Sequence, residues 1–280
     1  MRLIIPSPAK VNLSLWVKGK RPDGYHEIIT VMHTIGLNDF LYFLPSDRFE
    51  LSIRGTQTLP LGKSNLITKA VKAFEEATGI KARVKIQLEK VIPVGAGLGG
   101  GSSNAAATLK GLNKIYGEPL KEEELKQVAS QIGSDVPFFI KGGLAVAYGK
   151  GEKLKHYGRA NFKVLLVYPG FQCFTEEVYK ELPKIKREIT VEEAEKLIIS
   201  PLITGKIKEL KENMVNDLQE SRAPCIEKVK EVKIRLEELG FKTLMSGSGS
   251  SVFSVLEEEE EKKLHLLKSL PWWHKLVNAV

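Results

Sequence analysis

Between residues 95 and 101 the chain reads Gly-Ala-Gly-Leu-Gly-Gly-Gly, five glycines within seven residues. Such a stretch lacks the Cβ atoms that would keep an anion away from backbone N–H groups. It follows RVKIQLEK (83–90), where Val84, Ile86 and Leu88 alternate as in a strand, and it runs into the alanine-rich SSNAAATLKGLNKIYG, which reads as a helix. Partial positive charge and unpaired N–H groups collect at a helix N-terminus, so this order of elements makes a phosphate cradle. Ser102 and Ser103 add two hydroxyls at the first turn. The same residues also suit a tight glycine connection between closely packed elements.

The neighbours of the loop narrow the kind of cradle. Residues 95–100 match G-x-G-x-x-G, but a dinucleotide fold needs a strand directly after the helix, with an acidic residue about 20 positions on. Here a second helix (122–132) follows instead, and Pro93 separates strand from loop. No Gly-Lys-Ser/Thr closes the loop as in a Walker motif, and no His-Arg-Asp or Asp-Phe-Gly follows as in a protein kinase.

With 280 residues, 42% apolar and 27% charged, the chain has material for two modest domains around sizeable cores. Collagen-like, disulfide-rich and disordered classes do not fit this composition. No run approaches the roughly 18 apolar residues of a membrane span, and MRLIIPSPAK is not expected to act as a signal peptide. Two cysteines, Cys173 and Cys225, are too few for a disulfide framework or a four-thiolate zinc site, so a reduced, cytoplasmic protein is expected. His26, His33, His156, His265 and His274 show no paired metal-ligand spacing. The net charge of +8 suits nucleic acid or a phosphorylated small molecule. The lysines, however, interleave with glutamates as on solvated helix faces, and no compact arginine-rich block appears, so nucleic-acid binding is not expected.

Strand period runs through Ala9, Val11, Leu13, Leu15 and Val17, with Lys10, Asn12, Ser14, Trp16 and Lys18 on the opposite, polar face. Further strands are expected at 28–35, 40–44 and 49–53, after a turn at Arg21-Pro22-Asp23-Gly24. Asn65 caps a helix in which Leu66, Ile67, Ala70, Val71 and Phe74 recur at helical spacing, closed by Gly79. Residues 142–149 read as strand. The second half begins with the apolar strand FKVLLVYPG and continues mostly helical to Gly240. It ends with a strand–turn–strand (TLMSGSGSSVFSVL), a helix over 257–270 and a last strand. The class is α+β in two lobes, 1–155 and 156–280.

Four segments carry a resemblance to the GHMP kinases: PVGAGLGGGSSNAAATL, SPAKVNLSLWVKGKRPDGYHEI, IGSDVPFFIKGGLAVAYGKGE and MSGSGSSVFSV. Within that family they are most similar to the branch of the non-mevalonate isoprenoid pathway. The serines of the last segment depart from the more usual Gly-Thr-Gly. The resemblance implies a two-lobed fold with the site in the cleft between lobes. It also implies ATP-dependent phosphorylation of the 2-hydroxyl of a cytidyl methylerythritol diphosphate, with Mg²⁺, and neither nucleic acid nor membrane as partner.

By that resemblance Lys10 and Asp135 are catalytic. Asp135 accepts the hydroxyl proton, while Lys10 holds the aspartate ionised and neutralises the transferring group. Taken by themselves, Lys10 would be a solvated lysine on a polar strand face and Asp135 a helix N-terminal carboxylate satisfying backbone N–H groups. ATP is expected at Asn65, Leu66, Lys90, Pro93, Val94, Gly95, Ala96, Gly97, Leu98, Gly99, Gly100, Gly101, Ser102, Ser103 and Asn104. Either serine could reach the metal. The acceptor is expected at Asn12, Tyr25, His26, Thr175 and Tyr179, the rings suiting a flat base. The turn at Gly247–Gly249 is expected to approach the phosphate loop, and alone would also suit a plain hairpin. Another GHMP kinase of mevalonate or homoserine type, or a non-catalytic nucleotide-binding protein, would share the glycine loop.

Overall fold

The computed structural model describes residues 3–55 and 59–280. The chain separates into two compact units interleaved in sequence: residues 1–9, 37–94 and 99–142 in the first, and residues 10–36, 95–98 and 143–280 in the second. Two long paired strands, β1 (Leu3–Lys20) and β2 (His26–Pro45), contribute to both.

In the first unit the later part of β2 pairs antiparallel with β4 (Val84–Lys90), Phe40 opposite Glu89 and Pro45 opposite Val84. On its other side β4 pairs in parallel with β3 (Glu50–Gly55). The helices are α1 (Leu66–Thr78), α2 (Gly100–Ile115), α3 (Glu122–Ile132) and α4 (Val136–Lys141). Helix α1 buries Ile67, Ala70, Val71 and Phe74, the stripe its spacing predicts. Helix α2 is buried over most of its surface, and its run of small residues lets other elements approach closely. At Gly111 the approach is closest, where an added Cβ would overlap the fully buried Phe43 ring.

In the second unit the earlier part of β2 pairs antiparallel with β5 (Leu144–Gly149), which pairs with β6 (Lys153–His156). A separate antiparallel sheet has the order β10–β7–β9–β8, built from β7 (Lys163–Tyr168), β8 (Leu244–Met245), β9 (Val252–Val255) and β10 (Trp273–Asn278). Its helices are α5 (Thr175–Lys180), a run from α6 (Val191–Ala194) through a π turn into α7 (Ser200–Ile203), then α8 (Ile207–Asn213) and α9 (Pro224–Glu238). Leu165, Val167, Val229, Val232, Leu236 and Val252 lie in the core shared by α9 and this sheet.

The structure corrects four expectations. Residues 36–39 do not interrupt a strand, because β2 runs through them. The polar face of β1 is not solvated: Lys10, Asn12, Ser14 and Trp16 are all buried. The segment 257–270 is only a short helix, Glu258–Glu261, followed by a 3₁₀ turn over Leu264–Ser269. Cys173 and Cys225 are not separate thiols but form a disulfide, their Cα atoms 5.7 Å apart although 52 residues separate them in sequence.

His33, on β2, is buried and neutral. Its Nε2 accepts from the Ala160 N–H at 3.0 Å, so Nδ1 carries the proton and donates to the Thr34 carbonyl at 2.7 Å. Burial holds its pKa below the ordinary 6.5, Arg159 adding to the effect against the Thr34 hydrogen bond. Below pH 6.5 the unfolded chain therefore binds a proton that the folded chain refuses, and stability falls until the folded pKa is passed. His33→Gln should flatten this loss, by up to about 1.4 kcal/mol per pH unit, in urea melts between pH 7.5 and 5. Gly111→Ala should destabilise by about 1–3 kcal/mol in the same assay, although helix propensity alone would favour alanine by about 1 kcal/mol.

Candidate active site

Strand β4 ends at Lys90, and the chain enters the glycine loop through Val91–Val94. In the second unit the carbonyls of residues 95–98 are each engaged by a donor. Cys173 N–H reaches Gly95 O at 3.0 Å, Ser251 N–H reaches Ala96 O at 3.2 Å, and Lys10 N–H reaches Leu98 O at 3.0 Å. Gly97 O accepts from Lys10 Nζ at 2.7 Å and from Ser246 Oγ at 3.0 Å. The carbonyls of the loop are thus satisfied within the protein. Gly97 sits at φ +73°, and a Cβ there would overlap the Ser246 carbonyl oxygen, so no other residue fits.

Lys10 also donates to Asn12 Oδ1 at 2.5 Å. That orients Asn12, whose Nδ2 donates to Thr30 Oγ1 at 2.9 Å while Thr30 donates to the Ser14 carbonyl. The turn between β8 and β9 lies against the loop as expected, and a Cβ at Gly247 would stand 3.0 Å from Lys10 Nζ. Asn216 ties the turn down, its Nδ2 donating to Met245 O at 2.7 Å and Gly247 O at 2.8 Å.

The same unit holds the aromatic candidates. The rings of His26 and Tyr179 lie 5.0 Å apart and tilted by 30°. Burial, helped by the charge of Lys20, lowers the His26 pKa from 6.5, which keeps one ring nitrogen a donor and the other an acceptor at neutral pH. Tyr25 is exposed, with Lys150 Nζ 4.9 Å from its ring centre. Thr175 Oγ1 and Ser248 Oγ share a hydrogen bond of 2.9 Å.

In the first unit Asn65 caps α1, its Oδ1 accepting from Ile67 N–H at 2.8 Å and its Nδ2 donating to Pro60 O. Leu66 is near the start of α2, 3.2 Å from where a Cβ on Gly101 would lie. Pro93, Val94 and Ser102 are half-buried. Helix α2 begins at Gly100, with Gly99 before it at φ +68°. Ser103 accepts from Ser7 Oγ at 2.8 Å, and Asn104 Nδ2 donates to Ser7 Oγ and to Asp39 Oδ2, both at 2.9 Å. Lys90 donates to Asp39 Oδ2 at 2.8 Å and to the Ile92 carbonyl. Burial lowers the Lys90 pKa, with the Asp39 carboxylate pulling the other way. Asp135 precedes α4, is half-buried, and makes no side-chain cap on that helix.

The structure thus gathers Lys10, Asn12 and Gly97 into one hydrogen-bonded group, joins His26 to Tyr179, and joins Lys90 to Asn104 through Asp39. Asp135, Thr175 and Tyr25 lie outside these three groups. Sequence reasoning missed Ser7, Thr30, Asp39, Asn216 and Ser246. They are ordinary polar residues inside strand or turn patterns, and only their burial marks them. Among the described residues no group of three or more His, Cys, Asp or Glu could hold a metal ion, and no helix is long and apolar enough to cross a membrane.

Comparison with known proteins agrees with this arrangement. Residues 65–143 match the GHMP kinases N terminal domain and residues 196–265 match GHMP kinases C terminal. The chain belongs to the GHMP kinase family, and that membership implies ATP as the phosphate donor. It is 44% identical to the 4-diphosphocytidyl-2-C-methyl-D-erythritol kinase of Persephonella marina, over 92% of this chain and 93% of that protein. A crystal structure of 4-(cytidine 5'-diphospho)-2C-methyl-D-erythritol kinase is 34% identical and superposes with a TM-score of 0.79, covering 99% of each chain. Homoserine kinase from Cytophaga hutchinsonii, at 18% identity and a TM-score of 0.73 over 100% of this chain and 94% of that one, shares the fold.

Gly97→Ala forces the loop off Ser246 and should lower kcat/KM for ATP by about 100-fold in an ADP-release assay, with the circular dichroism spectrum retained. Near-normal turnover would mean that the close approach at Gly97 is dispensable.

Proposed function

We propose that this protein transfers the γ-phosphoryl group of ATP to the 2-hydroxyl of 4-diphosphocytidyl-2-C-methyl-D-erythritol, in the non-mevalonate route to isoprenoids. The observation that carries the reading is the group formed by Lys10, Asn12, the loop carbonyls and the Ser246–Ser251 turn. It orients a buried ammonium beside a loop whose carbonyls are already satisfied. The adjacent, tilted rings of His26 and Tyr179, together with relatives of that name across nearly the whole chain, support the cytidyl acceptor over mevalonate or homoserine. The proposed lobe boundary near residue 155 falls in the gap between the two matched domains, although the compact units interleave in sequence.

Phosphoryl transfer through a loose transition state asks for positioning and charge more than for covalent chemistry. In this reading the N–H groups of residues 95–101, with Ser102 and Ser103 at the first turn of α2, receive the β- and γ-phosphates. Asn65, Leu66, Pro93 and Val94 line the nucleotide side. Lys10 neutralises the transferring group, Asn12 hydrogen-bonds the acceptor, and Asp135 takes the proton from its hydroxyl. Tyr25, His26, Thr175 and Tyr179 receive the cytidyl group. Mg²⁺ fits as an ion carried mainly by phosphate oxygens, since hydroxyls rather than a carboxylate cluster flank the loop. When bound it supplies charge neutralisation across the β- and γ-phosphates.

The test is ADP release with Mg-ATP and four conditions: the cytidyl methylerythritol, mevalonate, homoserine and no acceptor. Turnover only with the cytidyl compound is expected, and preference for another acceptor would overturn the substrate assignment. Lys10→Met and Asp135→Asn should each lower kcat by about 100-fold or more with the fold intact. An active Asp135→Asn variant would remove the base from the mechanism.

A further inference from the structure

Asp39 lies in the middle of β2 with no exposed surface. Its carboxylate is saturated. Oδ1 accepts from Val91 N–H at 2.6 Å and Ile92 N–H at 2.8 Å, and Oδ2 from Lys90 Nζ at 2.8 Å and Asn104 Nδ2 at 2.9 Å. An isolated buried carboxylate is costly, and a buried ion pair does no better for stability than an apolar pair of equal volume. Stability alone therefore gives little reason for this arrangement. The identity of the donors gives a better one: all four come from residues 90–104, the two flanks of the glycine loop. Val91 and Ile92 are the strand-side stem, and Asn104 is in the first turns of α2 on the other side.

We propose that Asp39 is a positioning residue for the nucleotide, clamping both stems of the glycine loop, and that Lys90 and Asn104 serve ATP binding through it. Lys90 Nζ is buried and held between Asp39 and the Ile92 carbonyl, and Asn104 Nδ2 is spent on Asp39 and Ser7. Both side chains are thus committed to shaping the loop, which narrows the direct nucleotide contacts expected from the sequence. A loop fixed before the ligand arrives does not lose that freedom on binding. This inference rests on the reading of the loop as an ATP site.

The test compares wild type with Asp39→Asn, which keeps the shape but offers two N–H donors where acceptors are needed. ATP binding is measured at equilibrium with Mg²⁺ and no acceptor, KM is measured for ATP and acceptor separately, and amide exchange is followed by NMR. The expected result is ATP affinity and ATP KM weakened by about tenfold or more, with acceptor KM and kcat at saturating ATP within about twofold. Exchange should accelerate at residues 91–103 while β7 keeps its wild-type rates. Unchanged ATP affinity in a folded variant, or loss of all parameters in proportion to the unfolded fraction, would overturn the proposal. If the variant does not fold, exchange in the wild type decides: protected Val91 and Ile92 amides are expected, and exchange at the rate of open loop amides would sink the clamp. Should the wild type bind ATP yet phosphorylate no acceptor, the proposed reaction fails while the binding comparison still reads Asp39.

Discussion

A backbone segment can present its N–H groups to an anion only if its carbonyls, which point the other way, are satisfied elsewhere. Residues 95–98 meet that condition one carbonyl at a time, through two backbone amides from the second half of the chain, the Lys10 amide and ammonium, and the Ser246 hydroxyl. Much of the second unit follows from it. Gly97 has to lack a side chain because the Ser246 carbonyl passes so close, and a Cβ at Gly247 would crowd the Lys10 ammonium at 3.0 Å. The turn that supplies Ser246 and Ser251 is closed by its own amides, Ser246 N–H to Ser251 O and Gly249 N–H to Ser246 O, and Asn216 holds the Met245 and Gly247 carbonyls beside it. Asn216 thus helps to hold the turn whose Ser246 and Ser251 engage residues 96 and 97.

What could be read in the sequence was what local rules govern. The cap at Asn65, the stripe of α1, the alternation of β4 and the glycine loop are each specified within a few residues, and the structure reproduces them. Residues 36–39 misled because Gly, Asn and Asp favour turns, yet inside β2 the Asp39 side chain is fixed by donors from residues 90–104. Lys10 misled in the same way. Alternation separates polar from apolar residues, but it does not say that the polar face meets water. Here that face meets Thr30, the glycine loop and the 246–251 turn. The Cys173–Cys225 bond was invisible for a similar reason, since nothing local links positions 52 apart. The site's supporting residues are legible only after the chain has folded.

Each unit also uses a buried aspartate as a backbone organiser. Asp39 takes the Val91 and Ile92 amides in the first. In the second, Asp217 takes the Val17 amide at 2.9 Å while Arg187 grips it from two nitrogens. Charge-assisted bonds to backbone amides are stronger than neutral ones and directional. A carboxylate that collects several amides fixes the backbone in a way that an apolar contact of equal area would not. Val91 and Ile92 directly follow the end of β4 at Lys90, and Val17 lies three residues before the end of β1 at Lys20.

The same reasoning decides what the positive charge means. The net excess of +8 is the feature most suggestive of anionic ligands in the composition, but many lysines and arginines are exposed and paired with nearby glutamates, as in Lys72–Glu76, Lys230–Glu227 and Arg235–Glu238. Such pairs contribute little and are screened by salt. Lys10 and Lys90, by contrast, are buried and held by oxygen atoms at fixed distances, and the proposed phosphate site draws on them. A diffuse positive surface would raise encounter rates with any polyanion, whereas a buried ammonium and a row of oriented N–H groups select for a compact phosphate in one pose. Selectivity of that kind comes from where the backbone is pinned, not from how many charges the chain carries.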